Sequence, residues 1–369
     1  KVDGIYYAIL SGEDLIVYVD RAGSSASASR AYKDSVVIPE TVVYNDITYS
    51  VKGIKPSAFS GSYLLTSITI PNSVVEIGSG AFNNCTSLTS ITIPNSVTEI
   101  EHSTFAYCSG LTTINIPNSV AKIGMSAFEG CTSLTSINIP NSVTEIEHLT
   151  FAYCSGLTTI NIPNSVAKIG ISAFEGCTSL TSIDIPASVT EIGSGVFGGC
   201  SALTSIKVNE DNPIYDSRNN CNAIIETASN TLYSGISSTI IPNSVTGIGA
   251  DAFNNCTGLT TINIPNSVTE IGCSAFSGCA SLTSIDIPNS VTEIGTSAFS
   301  GCASLTSISI PNSISCIEHG IFQWCSNLSL VTIPNSVSKV YADAFFGCNL
   351  PEENGILYAD TWAVGTKKG

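Results

Sequence analysis

The sequence predicts a strand-rich solenoid with short helical turns, and three observations carry that expectation. The unit at 88–110 returns every 23 residues through most of the chain. Proline keeps the register of the repeat, at Pro71, Pro94, Pro117, Pro140, Pro163 and Pro186 and then from Pro242 to Pro334. The apolar residues of one unit, Leu88, Ile91, Ile93, Val97, Ile100, Phe105 and Cys108, recur in the same columns. A fixed period of this size marks an array in which each repeat buries its apolar face against the next. A length of 369 residues would otherwise suggest two or three domains; the period favours one elongated body.

In chain order, residues 1–52 lack the repeat and read as a β-rich cap over the first rung. Gly4–Leu10 and Leu15–Val19 are rich in β-formers and flank Ser11–Asp14, the pattern of a hairpin. A second extended pair is expected from Val36–Pro39 and Ile47–Val51, with Gly23–Ser29 as a mobile loop. Rungs then fill 53–208. Leu-x-x-Ile-x-Ile alternates as a strand does, and Pro94 ends it because proline cannot donate to a ladder. Val97–Ile100 is a second short strand, and the step of three from Phe105 to Cys108 suits one turn of α- or 3₁₀-helix. Between Pro186 and Pro242 the period is broken by 33 extra residues. That stretch, 209–241, reads as a hairpin insertion built from Cys221–Glu226 and Thr231–Ser234. Rungs resume over 242–350. The stretch 351–369 reads as a terminal hairpin, Asn354–Tyr358 with Thr361–Val364, either a closing element or the start of a continuation.

Composition narrows function by exclusion. Charged residues make up 11% of the chain and the net charge is −16. Nucleic acid and anionic membranes both need a basic footprint, so neither is an expected partner. No apolar run approaches the roughly 18 residues that span a bilayer. Eleven of the fourteen cysteines share one column, three residues after the phenylalanine, and read as buried reduced thiols rather than a disulfide framework. No Cys-x-x-Cys, Gly-x-Ser-x-Gly, P-loop or His-Glu-x-x-His motif occurs, and the carboxylates fall in surface ladders. No enzymatic activity, metal or cofactor is expected.

Function in a repeat array belongs to its outward columns. Ser67, Ser90 and Thr113, with Thr69, Thr92 and Asn115, begin two polar strand columns. These suit a glycan or an extended polypeptide, or simply keep the sheet soluble. The asparagines after proline, such as Asn72, Asn95 and Asn118, are expected to satisfy backbone groups at the bend. Glu99, Lys122, Glu145, Lys168 and Glu191 alternate in sign and should form a surface salt ladder.

One irregularity stands out. All three histidines, His102, His148 and His319, sit eight residues after a proline. Each follows a glutamate (Glu101, Glu147, Glu318) where most rungs have glycine. Each precedes by five residues an aromatic (Tyr107, Tyr153, Trp324) where most rungs have Gly or Asn. Two readings are open: the aromatic packs over its histidine, or the three side chains form an exposed binding patch on the turn side. Backbones two rungs apart lie about 10 Å from each other, too far for His102 and His148 to share one zinc.

The unit Leu-Thr-Ser-Ile-Thr-Ile-Pro-Asn-Ser-Val-Thr-Glu-Ile-Gly-x-x-Ala-Phe-x-x-Cys resembles the BspA-like, Treponema-type leucine-rich repeat family over about residues 53–350. The opening segment Val37–Val42 with Tyr49–Val51 also looks like that family's leader. The resemblance implies an α/β leucine-rich-repeat solenoid, a right-handed horseshoe with a parallel sheet along one face. It implies extracellular or cell-surface display and kinship with adhesins. The implied partner is a protein or glycan on a host or neighbouring cell surface, met by a chain expected to be monomeric. A spacer or stalk displaying another domain is the alternative from a different functional class.

Overall fold

The computed structural model describes residues 1–11, 15–20, 32–353 and 356–366. Most of the expected hairpin loop (12–14), the expected loop at Gly23–Ser29, and residues 354–355 and 367–369 of the terminal segment lie outside them. The chain divides into two compact units: Lys1–Thr181 with Ser188–Val196, and Ser182–Ala187 with Phe197–Gly369.

In the first unit each rung contributes to two parallel ladders and a turn. Ser90–Thr92 lies between Leu64–Thr69 and Thr113–Asn115, with Thr113 opposite Ser90, so the register equals the sequence period. Glu99–Ile100, Lys122–Ile123, Glu145–Ile146, Lys168–Ile169 and Glu191–Ile192 form a second parallel sheet. Alternation puts Ile91, Ile100 and Ile123 inside, with Ser90, Thr92 and Lys122 exposed.

The third side of the rung corrects the sequence reading. Ala106 N–H donates to Ser103 O at 3.1 Å and Cys108 N–H to Phe105 O at 3.1 Å, which are single turns within the rung. The intervening donors go elsewhere: Phe105 N–H reaches Ala127 O (2.9 Å) and Tyr107 N–H reaches Glu129 O (2.5 Å), both on the next rung. Ser103 and Tyr107 have φ of 53° and 58°, in the left-handed region. A helix needs negative φ throughout and sends every N–H back along its own chain. The expected helical turns are therefore successive tight turns. Among the described residues the one helical segment assigned is the 3₁₀ piece Arg218–Asn220. The protein is a strand-rich β-solenoid of stacked coils rather than an α/β fold.

Stacking extends into the core. Phe59, Phe82, Phe105, Phe128, Phe151 and Phe174 form a column with ring centroids 5.1–5.7 Å apart, and Tyr32 sits 4.5 Å from Phe59 at its start. All fourteen cysteines are free; of the eleven in the column nine are buried, as anticipated, and Cys256 and Cys348 are half-buried. Their thiols also have a task the sequence did not reveal. Cys108 Sγ donates to Phe82 O at 3.1 Å, while Cys85 N–H donates to the same oxygen at 3.1 Å. Each such carbonyl thus uses both lone pairs, one within its rung and one across rungs.

At the bend after proline the expected asparagine bonds are largely replaced by serine. Ser119 Oγ donates to Val97 O (2.7 Å) and Ser165 Oγ to Val143 O (2.6 Å). Among the described residues, an asparagine after proline serves the backbone at Asn289, whose Oδ1 accepts Asn312 N–H at 3.2 Å. The serine hydroxyl is shorter and reaches the carbonyl of the rung before.

The amino-terminal hairpin forms as expected, Tyr6–Ser11 antiparallel to Ile16–Asp20. The second pair is re-partnered. Lys33–Val37 runs parallel to Leu64–Thr69, whereas Ile47–Ile54 folds back antiparallel on Thr41–Tyr44. Positive φ at both Asn45 (52°) and Asp46 (59°) gives the turn that matches strand twist. Ile47–Ile54 then runs parallel to Glu76–Ile77 and opens the ladder.

The second unit repeats this device. Ala223–Glu226 pairs antiparallel with Thr231–Gly235, which runs parallel to Gly247–Ile248, the next rung strand. Ala223, Ile225 and Leu232 are fully buried in one cluster with Phe253 and Phe276, so the inserted hairpin is part of the core. Phe253, Phe276, Phe299, Phe322 and Phe345 stack at 5.0–5.6 Å. Glu352–Glu353, Ile356–Ala359 and Trp362–Thr366 form a small antiparallel sheet. No described helix is long and apolar enough to cross a membrane.

Candidate functional site: exposed aromatic and carboxylate rungs

Tyr107 and Tyr153 occupy the turn position that in neighbouring rungs is Asn84, Gly130, Gly176 or Gly199. The reason for that preference is conformational: Asn84, Gly130, Gly176 and Gly199 all have positive φ, between 63° and 71°. Both tyrosines adopt 58°. A left-handed conformation costs an ordinary side chain about 1–2 kcal/mol, which glycine avoids. The next rung makes room for the ring: a Cβ on Gly130 would lie 2.6 Å from Tyr107 Cδ1, and the same holds for Gly176 under Tyr153. Despite this tailoring, each tyrosine stays 47% exposed.

The phenols are held by carboxylates. Tyr107 Oη donates to Glu129 Oε1, and Tyr153 Oη donates to Glu175 Oε1 at 2.9 Å. The hydrogen bond to each glutamate, with some burial, pushes both phenols above the ordinary tyrosine range. The charge of Glu129 also reaches Tyr153, so Glu129 serves both rings electrostatically. Neither Glu129 nor Glu175 takes part in an ion pair among the described residues. The Glu/Lys column, by contrast, pairs as expected: Lys122 with Glu99 (2.7 Å), Lys168 with Glu145 (3.3 Å) and with Glu191 (3.4 Å). Glu147 lies 3.9 Å from Lys122 and belongs to that network.

The histidines are engaged by backbone rather than by their aromatics. His102 Nδ1 accepts Met125 N–H at 3.0 Å, and His148 Nδ1 accepts Ile171 N–H at 2.8 Å. Thr104 and Thr150, fully buried, donate to the carbonyls of Glu101 (2.6 Å) and Glu147 (2.7 Å), fixing the turn that presents each histidine. Met125 and Ile171 are themselves 40% and 49% exposed. The first unit therefore carries an alternation: His102 and Tyr107, then Met125 and Glu129, then His148 and Tyr153, then Ile171 and Glu175.

Reading one rung at a time missed Met125, Glu129, Ile171 and Glu175. The signal lay in the two-rung period, because 94–139 and 140–185 differ only at 103/149, 125/171 and 138/184. The copied unit is a pair of rungs, and the pair carries the surface.

The third triplet has other partners. In the second unit His319 Nδ1 is 2.9 Å from Asp343 Oδ1 and its ring lies 3.8 Å from that of Tyr341. Trp324, 56% exposed, meets Phe346 edge-on at 4.8 Å. Glu318 is half-buried beside them in sequence. Phe346 occupies the position of Glu129, so this patch is apolar where the tyrosine patch is acidic.

The family model for the BspA type leucine rich repeat region matches residues 40–158, 121–228 and 224–351. No curated protein matches. Among solved structures, a leucine rich cell surface protein from Faecalibacterium prausnitzii A2-165 is 34% identical, with a TM-score of 0.80 over 100% of this chain and 98% of that one. The pneumococcal vaccine antigen PcpA is 20% identical, with a TM-score of 0.56 over 99% of this chain and 90% of that one. A leucine-rich repeat protein from Eubacterium ventriosum ATCC 27560 is also 20% identical, with a TM-score of 0.50 over 97% and 96% of the two chains. At 20% identity these last two show the fold alone. Family match over nearly all the rungs and 34% identity to a relative along the whole length place this chain in the BspA type leucine rich repeat family.

Proposed function

We propose that this chain is a non-catalytic binding protein of the cell surface, an adhesin whose tyrosine rungs contact a protein on a host or neighbouring cell. The observation that carries the reading is Tyr107 and Tyr153, exposed aromatics kept on left-handed backbone where other rungs relax to Gly or Asn. Sparsely populated backbone persists where the surroundings over-determine it, and it clusters at functional sites. Exposed aromatics are the side chains most enriched among binding hot spots. The name of the Faecalibacterium relative, a cell surface protein, agrees with display outside the cell. Residues 1–52 act in this reading as a cap on the first rungs, with Tyr32 against Phe59 shielding the first ring of the column.

Binding of the full chain to immobilised matrix proteins and intact cells is expected to saturate. Tyr107→Asn combined with Tyr153→Asn should weaken it by about tenfold or more. Absence of saturable binding on every surface, or binding indifferent to both substitutions, would overturn the proposal. A spacer role is the second reading, favoured by the Glu/Lys column of the first unit, where Glu99, Lys122, Glu145, Lys168 and Glu191 pair among themselves. It predicts that no surface substitution alters attachment.

A further inference from the structure

We propose that the groove between the rung of Phe345 and the hairpin of Ile356–Ala359 with Trp362–Thr366 is a docking seat for one further rung of the same repeat type, carried by another polypeptide. The site lies in the second unit and does not depend on the tyrosine rungs of the first. The inserted hairpin of the same unit shows what covers such a groove.

Each of the two hairpins follows a rung. Phe197 and Phe345 lie eleven residues after Pro186 and Pro334, and Cys200 and Cys348 lie fourteen after them. The second strands of the hairpins read alike, Thr231-Leu232-Tyr233-Ser234-Gly235 and Thr361-Trp362-Ala363-Val364-Gly365.

At the inserted hairpin the groove is closed. Phe197, Cys200, Ser234 and Gly235 line a remnant of about 10 Å³ whose other wall is Ala252 and Cys256 of the following rung. That rung enters in parallel, with Gly247 and Ile248 opposite Thr231 and Leu232. Backbone bonds run both ways: Gly249 N–H donates to Leu232 O and Gly235 N–H to Ala252 O, each at 2.8 Å. Gly235 leaves the space that the rung's ring fills, since a Cβ there would lie 2.3 Å from Phe253 Cε1. Leu232 is fully buried beneath it.

At the second hairpin the matching groove stands open. Phe345, Cys348, Val364 and Gly365 take the places of Phe197, Cys200, Ser234 and Gly235, and here they border about 800 Å³. Among the described residues Trp362–Thr366 pairs on one side only, with Ile356–Ala359. Trp362, in the place of Leu232, is only partly buried against the core, as are Leu357 and Cys348. A Cβ on Gly365 would meet Leu357 Cδ1 at 3.8 Å and nothing nearer.

A strand edge with an apolar groove beside it takes an added strand, main-chain bonds giving affinity and pockets giving specificity. The segment Ile248-Gly249-Ala250-Asp251-Ala252-Phe253 defines the chemistry that fits. Its counterpart in the partner would set isoleucine beside Trp362, turn at glycine, and send alanine and phenylalanine into the groove by Gly365. A second copy of this chain does not supply it, because the rung phenylalanines from Phe59 to Phe345 are all buried in their own core. The donor is a separate polypeptide with an unpaired rung.

A fluorescent peptide of residues 236–258, titrated into the full chain in reducing buffer and followed by anisotropy, tests the proposal. Saturable binding is expected. Gly365→Val puts a side chain into the groove and should weaken binding about tenfold or more, with a thermal melt showing that the variant is folded. Phe253→Ala within the peptide should cost as much while leaving the protein untouched. Tyr107→Asn/Tyr153→Asn should leave the affinity unchanged. No saturable binding, equal binding of a scrambled peptide, or indifference to both the groove and the peptide substitutions would overturn the proposal. Self-association of the full chain that Gly365→Val abolishes would give the groove to a second copy and overturn the separate donor.

Discussion

At Tyr107 two local preferences oppose each other. Left-handed backbone disfavours tyrosine by about 1–2 kcal/mol, whereas its half-exposed hydrogen bond to Glu129 returns about 0.5–1.5 kcal/mol. The fold gains nothing clear from the aromatic. Tyr107→Asn restores the residue found at Asn84, whose φ is 63°. Its unfolding free energy, measured by urea titration, should be unchanged or raised by up to about 1 kcal/mol. A loss beyond about 2 kcal/mol would mean that the tyrosine serves the fold and not a partner.

Among the elements, the ladders of strands and rings divide the energetic work unequally. Phe128 is fully buried between Phe105 and Phe151, at 5.6 and 5.7 Å, so truncation leaves a cavity that both neighbours border. Phe128→Ala should cost about 3–5 kcal/mol. Lys122→Ala breaks exposed ion pairs in the adjacent sheet and should cost under about 1 kcal/mol. Denaturant melts of the two variants side by side check this; comparable losses would show that charge, not stacking, holds the rungs. Strand positions and inward faces were legible because proline and period-two alternation are local properties. The turn was not. Phe105 and Cys108 are three apart in a helix and in paired tight turns alike, and only the destination of the alternate N–H groups separates the two. The hairpins at Thr41–Ile54 and Ala223–Gly235 were half legible: β-forming runs were plain, but their partners depended on which ladder lay nearby.

On the scale of the whole molecule, the buried thiols make alkaline stability a property of the array. Burial raises the Cys154 thiol from its ordinary 9.0 to about 12 and Cys256 to about 11, and it raises Cys131 in the same sense. The unfolded chain releases these protons near pH 9 while the folded chain holds them. Their contribution is therefore intact below pH 9 and is lost as pH rises towards the folded values. Tyr7 and Tyr32, raised to about 12 chiefly by burial, act with the same sign above pH 10. The melting temperature under reducing conditions should fall steadily between about pH 8.5 and pH 10.5. A flat profile would show that the thiol column opens to solvent.

The candidate surface was legible at its aromatic end and hidden at its carboxylate end. Glu-His-aromatic triplets break a regular pattern and can be seen in one line of sequence. Glu129 and Glu175 look like ordinary surface residues until stacking places each of them against the phenol of the rung before.

By itself the sequence determined the period, the inward columns, the free thiols and the alternating salt ladder, because each depends on residue type at a fixed spacing. Tertiary structure decided what spacing along one chain cannot encode. It assigned alternate N–H groups of the turn to the neighbouring rung, drew the inserted hairpin into the core, and set each tyrosine against the glycine and glutamate of the following repeat. Those contacts join residues one rung apart, and their geometry exists only once the rungs are stacked.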